Sequence, residues 1–174
     1  LAFVLGLMVL VRGGWMLVRT ITAFTVAHSL TLGLCTLGAV AAPPATIEAL
    51  VALSILVLAV EIVQRERAPE DPTLLVRAPW LVAFAFGLLH GFGFAGALTQ
   101  LGLPQDAIPL ALLLFNLGVE AGQLLFLAAV LGAARALAPR LAVAAHGPLA
   151  AAYLIGVPAV YWSMDRITGL LGLA

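Results

Sequence analysis

The strongest constraint on this chain is an apolar run over residues 79–101, in which His90 is the only ionisable residue. A helix needs roughly 20 mostly apolar residues to cross a bilayer, so this run is long enough to do so. His90 then falls near the middle of the membrane, where no water solvates it. Ionisable residues at that depth usually face a bundle interior, a cavity or a ligand. The run therefore predicts a membrane-spanning helix that carries a buried imidazole.

The same run contains a misleading motif. Gly91, Gly93 and Gly96 spell GxGxxG, which marks a dinucleotide site only when it follows a strand and opens a helix in a βαβ unit. No strand pattern precedes it here. Gly87 and Gly91 also form GxxxG, and small residues at this spacing let membrane helices approach closely. We therefore interpret the glycines as a helix-packing surface and exclude a nucleotide-binding loop.

Composition extends the membrane assignment to the whole chain. Of its 174 residues, 64% are hydrophobic and only 9% are charged, whereas soluble domains are about half apolar and about a quarter charged. The apolar runs are continuous and do not alternate, which favours helices over a barrel. We predict an all-α, polytopic transmembrane helical bundle that forms a single domain over residues 1–174.

Several functional classes are excluded or disfavoured. The formal net charge is zero, so no nucleic-acid partner is expected. The chain has no Lys, which excludes a Schiff-base cofactor. Cys35 is the single cysteine, so an intrachain disulfide cannot form. No catalytic triad, phosphate loop or CxxC motif is present, and we expect the protein not to be an enzyme.

Six spans are predicted, separated by arginine-containing turns, the Pro43-Pro44 pair and one strongly polar segment over residues 65–77. The spans cover residues 1–11, 20–41, 46–64, 79–102, 110–131 and 148–164. Because the sequence begins at Leu1 and not at Met, we expect the first span to be truncated at its outer end.

Arginine placement predicts the orientation. The turns after the first, third and fifth spans hold seven of the eight arginines, and the opposite side holds only Arg166; the seven are Arg12, Arg19, Arg65, Arg67, Arg77, Arg135 and Arg140. Positively charged loops stay in the cytoplasm. Both termini are therefore predicted to be extracytoplasmic.

Three spans carry ionisable groups at similar depth. Counted at about 1.5 Å per residue, His28, His90 and Glu120 lie within roughly one helical turn of the same level. Each needs a polar partner there, so one shared site is the simplest arrangement. Asn116 and Gln123 share the helical face of Glu120, at spacings of four and three residues.

Two imidazoles, a carboxylate and amide oxygens suit a divalent transition metal ion such as nickel, cobalt, zinc or copper. We predict a metal site of His28, His90 and Glu120, assisted by Asn116 and Gln123. The third span adds one acidic residue at each end, so that Glu48 lies near the outer mouth of the site and Glu61 near the inner mouth.

Other interpretations of the same residues remain open. The two histidines could be axial ligands of a haem. Together with Glu120 they could instead form a structural hydrogen-bond network between helices. A third alternative is a non-transporting accessory factor for metalloenzyme assembly, with residues 65–77 as its main cytoplasmic surface.

Four segments resemble the HupE/UreJ family of bacterial membrane proteins, which is associated with hydrogenase and urease accessory functions. They are AFTVAHSLTLGL (residues 23–34), IEALVALS (47–54), FGLLHGFGFAGAL (86–98) and FNLGVEAGQL (115–124), which occur within residues 20–131. The resemblance implies a multi-pass protein of the bacterial inner membrane that carries nickel or a similar metal. It also implies an extracytoplasmic N-terminal region, which we expect to be missing from the sequence. It maps the family's AHS, HGFGF and GVE motifs onto His28, His90 and Glu120. Metalloenzyme maturation proteins are implied as partners besides the lipid bilayer, and an oligomer is allowed.

Overall fold

A computed structural model of the protein describes residues 1–68, 70, 73–100, 107–137 and 147–173. All regular structure in these ranges is helical, which confirms the all-α prediction. The elements are α1 (Ala2–Leu10), α2 (Gly14–Thr36), α3 (Pro44–Arg67), α4 (Leu74–Arg77), α5 (Pro79–Gln100), α6 (Ile108–Leu137) and α7 (Gly147–Leu170).

Three helices are long and apolar enough to cross a bilayer, namely Gly14–Thr36, Pro44–Arg67 and Ile108–Ala136. The segment Pro79–Phe94 of α5 is a shorter apolar helix. α1 has only nine residues, fewer than a spanning helix requires. The described helices thus agree with a helical membrane protein.

Both predicted ends of the second span are wrong. α2 begins at Gly14, directly after Gly13 with φ 92°, and not at residue 20. Trp15 and Arg19 lie in its first turns. Amphipathic side chains of this kind are tolerated where a helix passes through the membrane interface, so they do not end the helix. The helix ends at Thr36, ahead of the two prolines. There Gly38, with φ 74°, donates its N–H to the carbonyl of Cys35 at 3.0 Å and closes a Schellman turn.

The core surrounds the short helix α1, which contacts α2, α3, α6 and α7. Leu7 of α1, Ile21 of α2 and Leu58 of α3 are fully buried in it. At the end of α1, the Arg65 guanidinium of α3 donates a hydrogen bond to the carbonyl oxygen of Leu10. This contact satisfies one of the carbonyls that a helix C-terminus leaves unpaired.

The contact between α2 and α5 is the most extensive in the described structure, and it depends on glycine. A Cβ atom on Gly87 would lie 2.4 Å from the carbonyl oxygen of Phe24. A Cβ atom on Gly91 would lie 2.6 Å from the carbonyl oxygen of His28. Both distances are far below van der Waals contact, so the two backbones meet directly. The packing interpretation of GxxxG is confirmed, and the contact sets His28 and His90 on adjacent, closely joined helices.

Candidate functional site

His28 is buried and without a polar partner. Its side chain is 2% exposed, and neither Nδ1 nor Nε2 makes a hydrogen bond to the described residues. The ring instead stacks on Phe24 at 6.0 Å between centroids and meets the edge of Phe94 at 5.3 Å. Buried polar groups are nearly always hydrogen-bonded, because leaving one unpaired costs free energy. An imidazole in this state is suited to bind something other than protein.

His90 is also buried, with 8% of its surface exposed, and it is held by a serine. Its Nε2 lies 2.9 Å from Ser54 Oγ, which also lies 2.6 Å from the carbonyl oxygen of Val51. The hydroxyl has one proton and donates it to the carbonyl of Val51, so both contacts are satisfied only when His90 Nε2–H donates to Oγ. Nδ1 of His90 then carries the lone pair. Histidines that bind metals are typically oriented in this way by a hydrogen bond from the second ring nitrogen.

The two histidines line the same cavity, which has a volume of about 560 Å³. Its wall is mostly apolar, and Gln123 of α6 adds an amide. Aromatic rings contribute much of the remaining surface, from Phe3, Phe24, Phe94 and Trp162. An apolar cavity with a few convergent polar groups is the usual form of a small-ligand site.

Glu120 does not line this cavity. Its Oε1 accepts a hydrogen bond from Thr22 at 2.8 Å, while Gln123 Oε1 accepts one from Thr25 at 3.3 Å. Thr22 precedes His28 by six residues, a rise of about 9 Å along α2. Glu120 therefore bonds to a residue that comes earlier on α2 than His28, and it does not join the two histidines at the cavity.

Glu48 lies at a second, smaller cavity of about 280 Å³, whose lining also includes His90, Phe94 and Trp162. Its carboxylate pairs with the Arg166 guanidinium, with Oε2 and Nε 3.2 Å apart. Both side chains are about half exposed, at 47% and 48%. The two cavities share His90, so the cavity lined by Glu48 adjoins the one that holds the two histidines.

Asn116 and Glu61 lie outside both cavities. Asn116 Nδ2 donates to the carbonyl of Leu112 at 2.8 Å, and its Oδ1 is buried without a partner among the described residues. Glu61 is buried and accepts a hydrogen bond from the hydroxyl of Thr73, the residue before α4. Glu61 thus joins α3 to the segment that follows it.

No three His, Cys, Asp or Glu side chains of the described residues come close enough together to hold a metal ion. The predicted set of His28, His90 and Glu120 is therefore not assembled. What the structure brings together is two neutral nitrogen donors and the Gln123 amide. Imidazole nitrogen suits nickel, copper, zinc and related ions, but these three groups supply no negative charge.

Ser54 and the aromatic rings around the histidines were not indicated by the sequence. A membrane serine ordinarily bonds to its own helix, as Ser54 does in part, so its second contact is invisible without the packing of α3 against α5. The available signal was weak: Ser54 is the one small polar residue in the otherwise apolar middle of the third span.

Long apolar helices that enclose buried imidazoles define a helical membrane protein. A family model described as HupE / UreJ protein matches residues 1–166, and the chain belongs to this family. The family relates to nickel or cobalt handling at the membrane, in uptake or in an accessory role. Neither the curated proteins nor the solved structures contain a match to the chain.

Proposed function

We propose that this protein is a bacterial inner-membrane permease for divalent transition metal ions of the nickel and cobalt class. The observation that supports this most directly is the buried imidazole of His28, whose two nitrogens have no partner among the described residues and which lines a cavity with His90. Membership of the HupE/UreJ family supports the same class of cargo.

The proposed topology has six spans, formed by α1, α2, α3, α5, α6 and α7, with both termini outside the cytoplasm. The distribution of arginine supports this orientation, since Arg166 alone lies on the extracytoplasmic side. In this orientation the cavity beside Glu48 opens outward. Glu61 and α4 lie at the cytoplasmic face.

In the proposed pathway, the Glu48 carboxylate raises the local concentration of cations at the outer cavity. The ion then reaches the larger cavity, where Nδ1 of His90, a nitrogen of His28 and the amide oxygen of Gln123 replace part of its water shell. Glu120 lies beyond, bonded to Thr22, which is about 9 Å nearer the cytoplasmic end of α2 than His28, and it attracts the ion in that direction. Both imidazoles must be deprotonated to bind, so metal binding and protonation oppose each other.

The test is elemental analysis of purified protein after equilibration with a mixture of divalent metals, alongside cobalt accumulation in cells. Wild type is compared with His28→Ala, His90→Ala and the double variant. Ser163→Ala is the matched control, because Ser163 is buried and its hydroxyl, among the described residues, bonds only to its own helix, at the carbonyl of Ala159. We expect stoichiometric nickel or cobalt in wild type and the control, and loss of both binding and accumulation in the double variant.

Two outcomes would favour the alternatives. Bound iron with a Soret absorption band, lost in the histidine variants, would replace the permease by a haem protein. Normal metal accumulation in all histidine variants would exclude a transport role for the cavity. The remaining interpretation would then be an accessory factor whose histidines serve structure alone.

A further inference from the structure

A groove of about 510 Å³ runs along the outer surface of the bundle between α3 and α7. It shares no lining residue with the two cavities beside His90. Its walls are apolar over most of their length, from Leu56 to Val63 on α3 and up to Val160 on α7. The polar groups are confined to one end, where Gln64, Arg67 and Tyr153 lie.

The groove has a shallow floor because the two helices meet closely there. A Cβ atom on Gly156 would lie 3.0 Å from the Cβ of Ala59, so neither residue projects outward. Larger side chains form the two rims of the groove, namely Val60, Val157 and Val160, which are 45%, 64% and 42% exposed. Small residues in the floor and larger ones at the rims produce a channel open to the membrane.

The dimensions of the groove match one leaflet of a bilayer. From Leu56 to Arg67 the helix rises about 17 Å, which is about half of the roughly 30 Å hydrocarbon core. The apolar part thus spans the depth of one acyl chain. Arg67, in the last turn of α3, lies where that chain would meet the headgroup region. A guanidinium binds phosphate through two parallel hydrogen bonds. Tyrosine is enriched at the interface between membrane and water.

We propose that this groove binds a single anionic phospholipid, with an acyl chain between α3 and α7 and its phosphate on Arg67. The charge of Arg67 selects an anionic headgroup over a zwitterionic one, as basic pockets at the ends of membrane helices do. Under the orientation proposed above, the lipid belongs to the cytoplasmic leaflet. The site is independent of the metal cavity, so failure of the permease proposal would leave it intact.

Native mass spectrometry of the detergent-purified full chain tests this proposal, with phosphatidylglycerol and phosphatidylcholine of identical acyl chains as the probes. Wild type is expected to retain one phosphatidylglycerol molecule in preference to phosphatidylcholine. Arg67→Gln should reduce that preference about fivefold, equivalent to about 1 kcal/mol for one arginine near a membrane surface. Arg135→Gln is the matched control, since Arg135 also lies in the last turn of a helix but not at the groove.

A second pair of variants tests the acyl-chain channel without altering charge. Val60→Phe fills the groove and should reduce retention of both lipids, whereas Val57→Phe should not, because Val57 is similarly exposed at 47% but does not line the groove. The four substituted residues are exposed at the surface, so the variants should fold as wild type does; they are Val57, Val60, Arg67 and Arg135. Equal retention of the two lipids by wild type, or equal losses in Arg67→Gln and Arg135→Gln, would overturn the proposal.

Discussion

Nε2 of His90, on α5, and the hydroxyl of Ser54, on α3, lie 2.9 Å apart inside the bundle. This is a direct polar contact between two otherwise apolar segments. It also determines which nitrogen of His90 carries the proton, and therefore which one is available to a ligand. Ser54, which does not itself bind the metal ion, can thus control how tightly the His90 imidazole binds that ion.

Ser54→Ala is expected to weaken nickel or cobalt binding by about 10- to 100-fold, as the loss of a residue that orients a ligand histidine typically does. Isothermal titration calorimetry on the purified protein measures the effect. Ser163→Ala again provides the control, because it removes a buried hydroxyl with no histidine partner. Equal losses in the two variants would show that Ser54 acts through stability alone.

His28→Leu separates a ligand role from a structural one. The His28 nitrogens make no hydrogen bond to described residues, so replacing the ring with an apolar side chain of similar size removes no protein hydrogen bond and keeps apolar packing against Phe24 and Phe94. We expect the free energy of unfolding to be unchanged or higher, while metal binding is lost. Chemical denaturation in detergent micelles measures the first quantity and calorimetry the second. If His28 were part of a structural network, the substitution would instead cost about 1–3 kcal/mol.

The contact between α2 and α5 should be intolerant of any added side chain. Gly91→Ala is expected to destabilise the protein by about 1–3 kcal/mol, because its Cβ would overlap the backbone of α2. Gly132→Ala on α6 is the control, since no described residue beyond its own stretch of helix has an atom within 4 Å of the added Cβ. Unfolding of both variants is followed under identical detergent conditions. Equal stability of the two variants would contradict the close approach seen here.

The proposed orientation can be tested by labelling from each side of the membrane. In a Cys35→Ser background, we expect a cysteine introduced at Glu70 to react with an impermeant maleimide only after the membrane is opened. A cysteine at Leu173 should react in intact spheroplasts. Labelling of both positions from the outside would require an even number of spans between them, where the proposed topology has three, and would refute the six-span arrangement.

The helices could be predicted well from the sequence because apolar runs, prolines and arginine-containing turns mark them strongly. The residues at which the helices begin and end could not be predicted as well. Trp15 and Arg19 were assigned to a turn, since nothing in the sequence distinguishes a polar loop from a helix that continues through the interface. α6 likewise extends to Leu137, beyond the predicted end at residue 131.

The candidate site was predicted in part. Burial of His28 and His90 followed from their depth, and the structure places both at one cavity. That Glu120 lines neither cavity did not follow, because counting along separate helices gives depth but not which side chains face one another. Which side chains then meet depends on helix contacts, such as that between Thr22 and Glu120, which no single helix encodes.

The direct backbone contact at Gly87 and Gly91 has a mechanical consequence. Because α2 and α5 touch along their main chains, we expect them to move together and to keep His28 and His90 at a similar separation. α6 instead meets α2 through side chains, which can part without breaking a helix. A carrier built in this way would expose its cargo alternately to the two sides of the membrane by tilting α6, and not by drawing its two histidines apart.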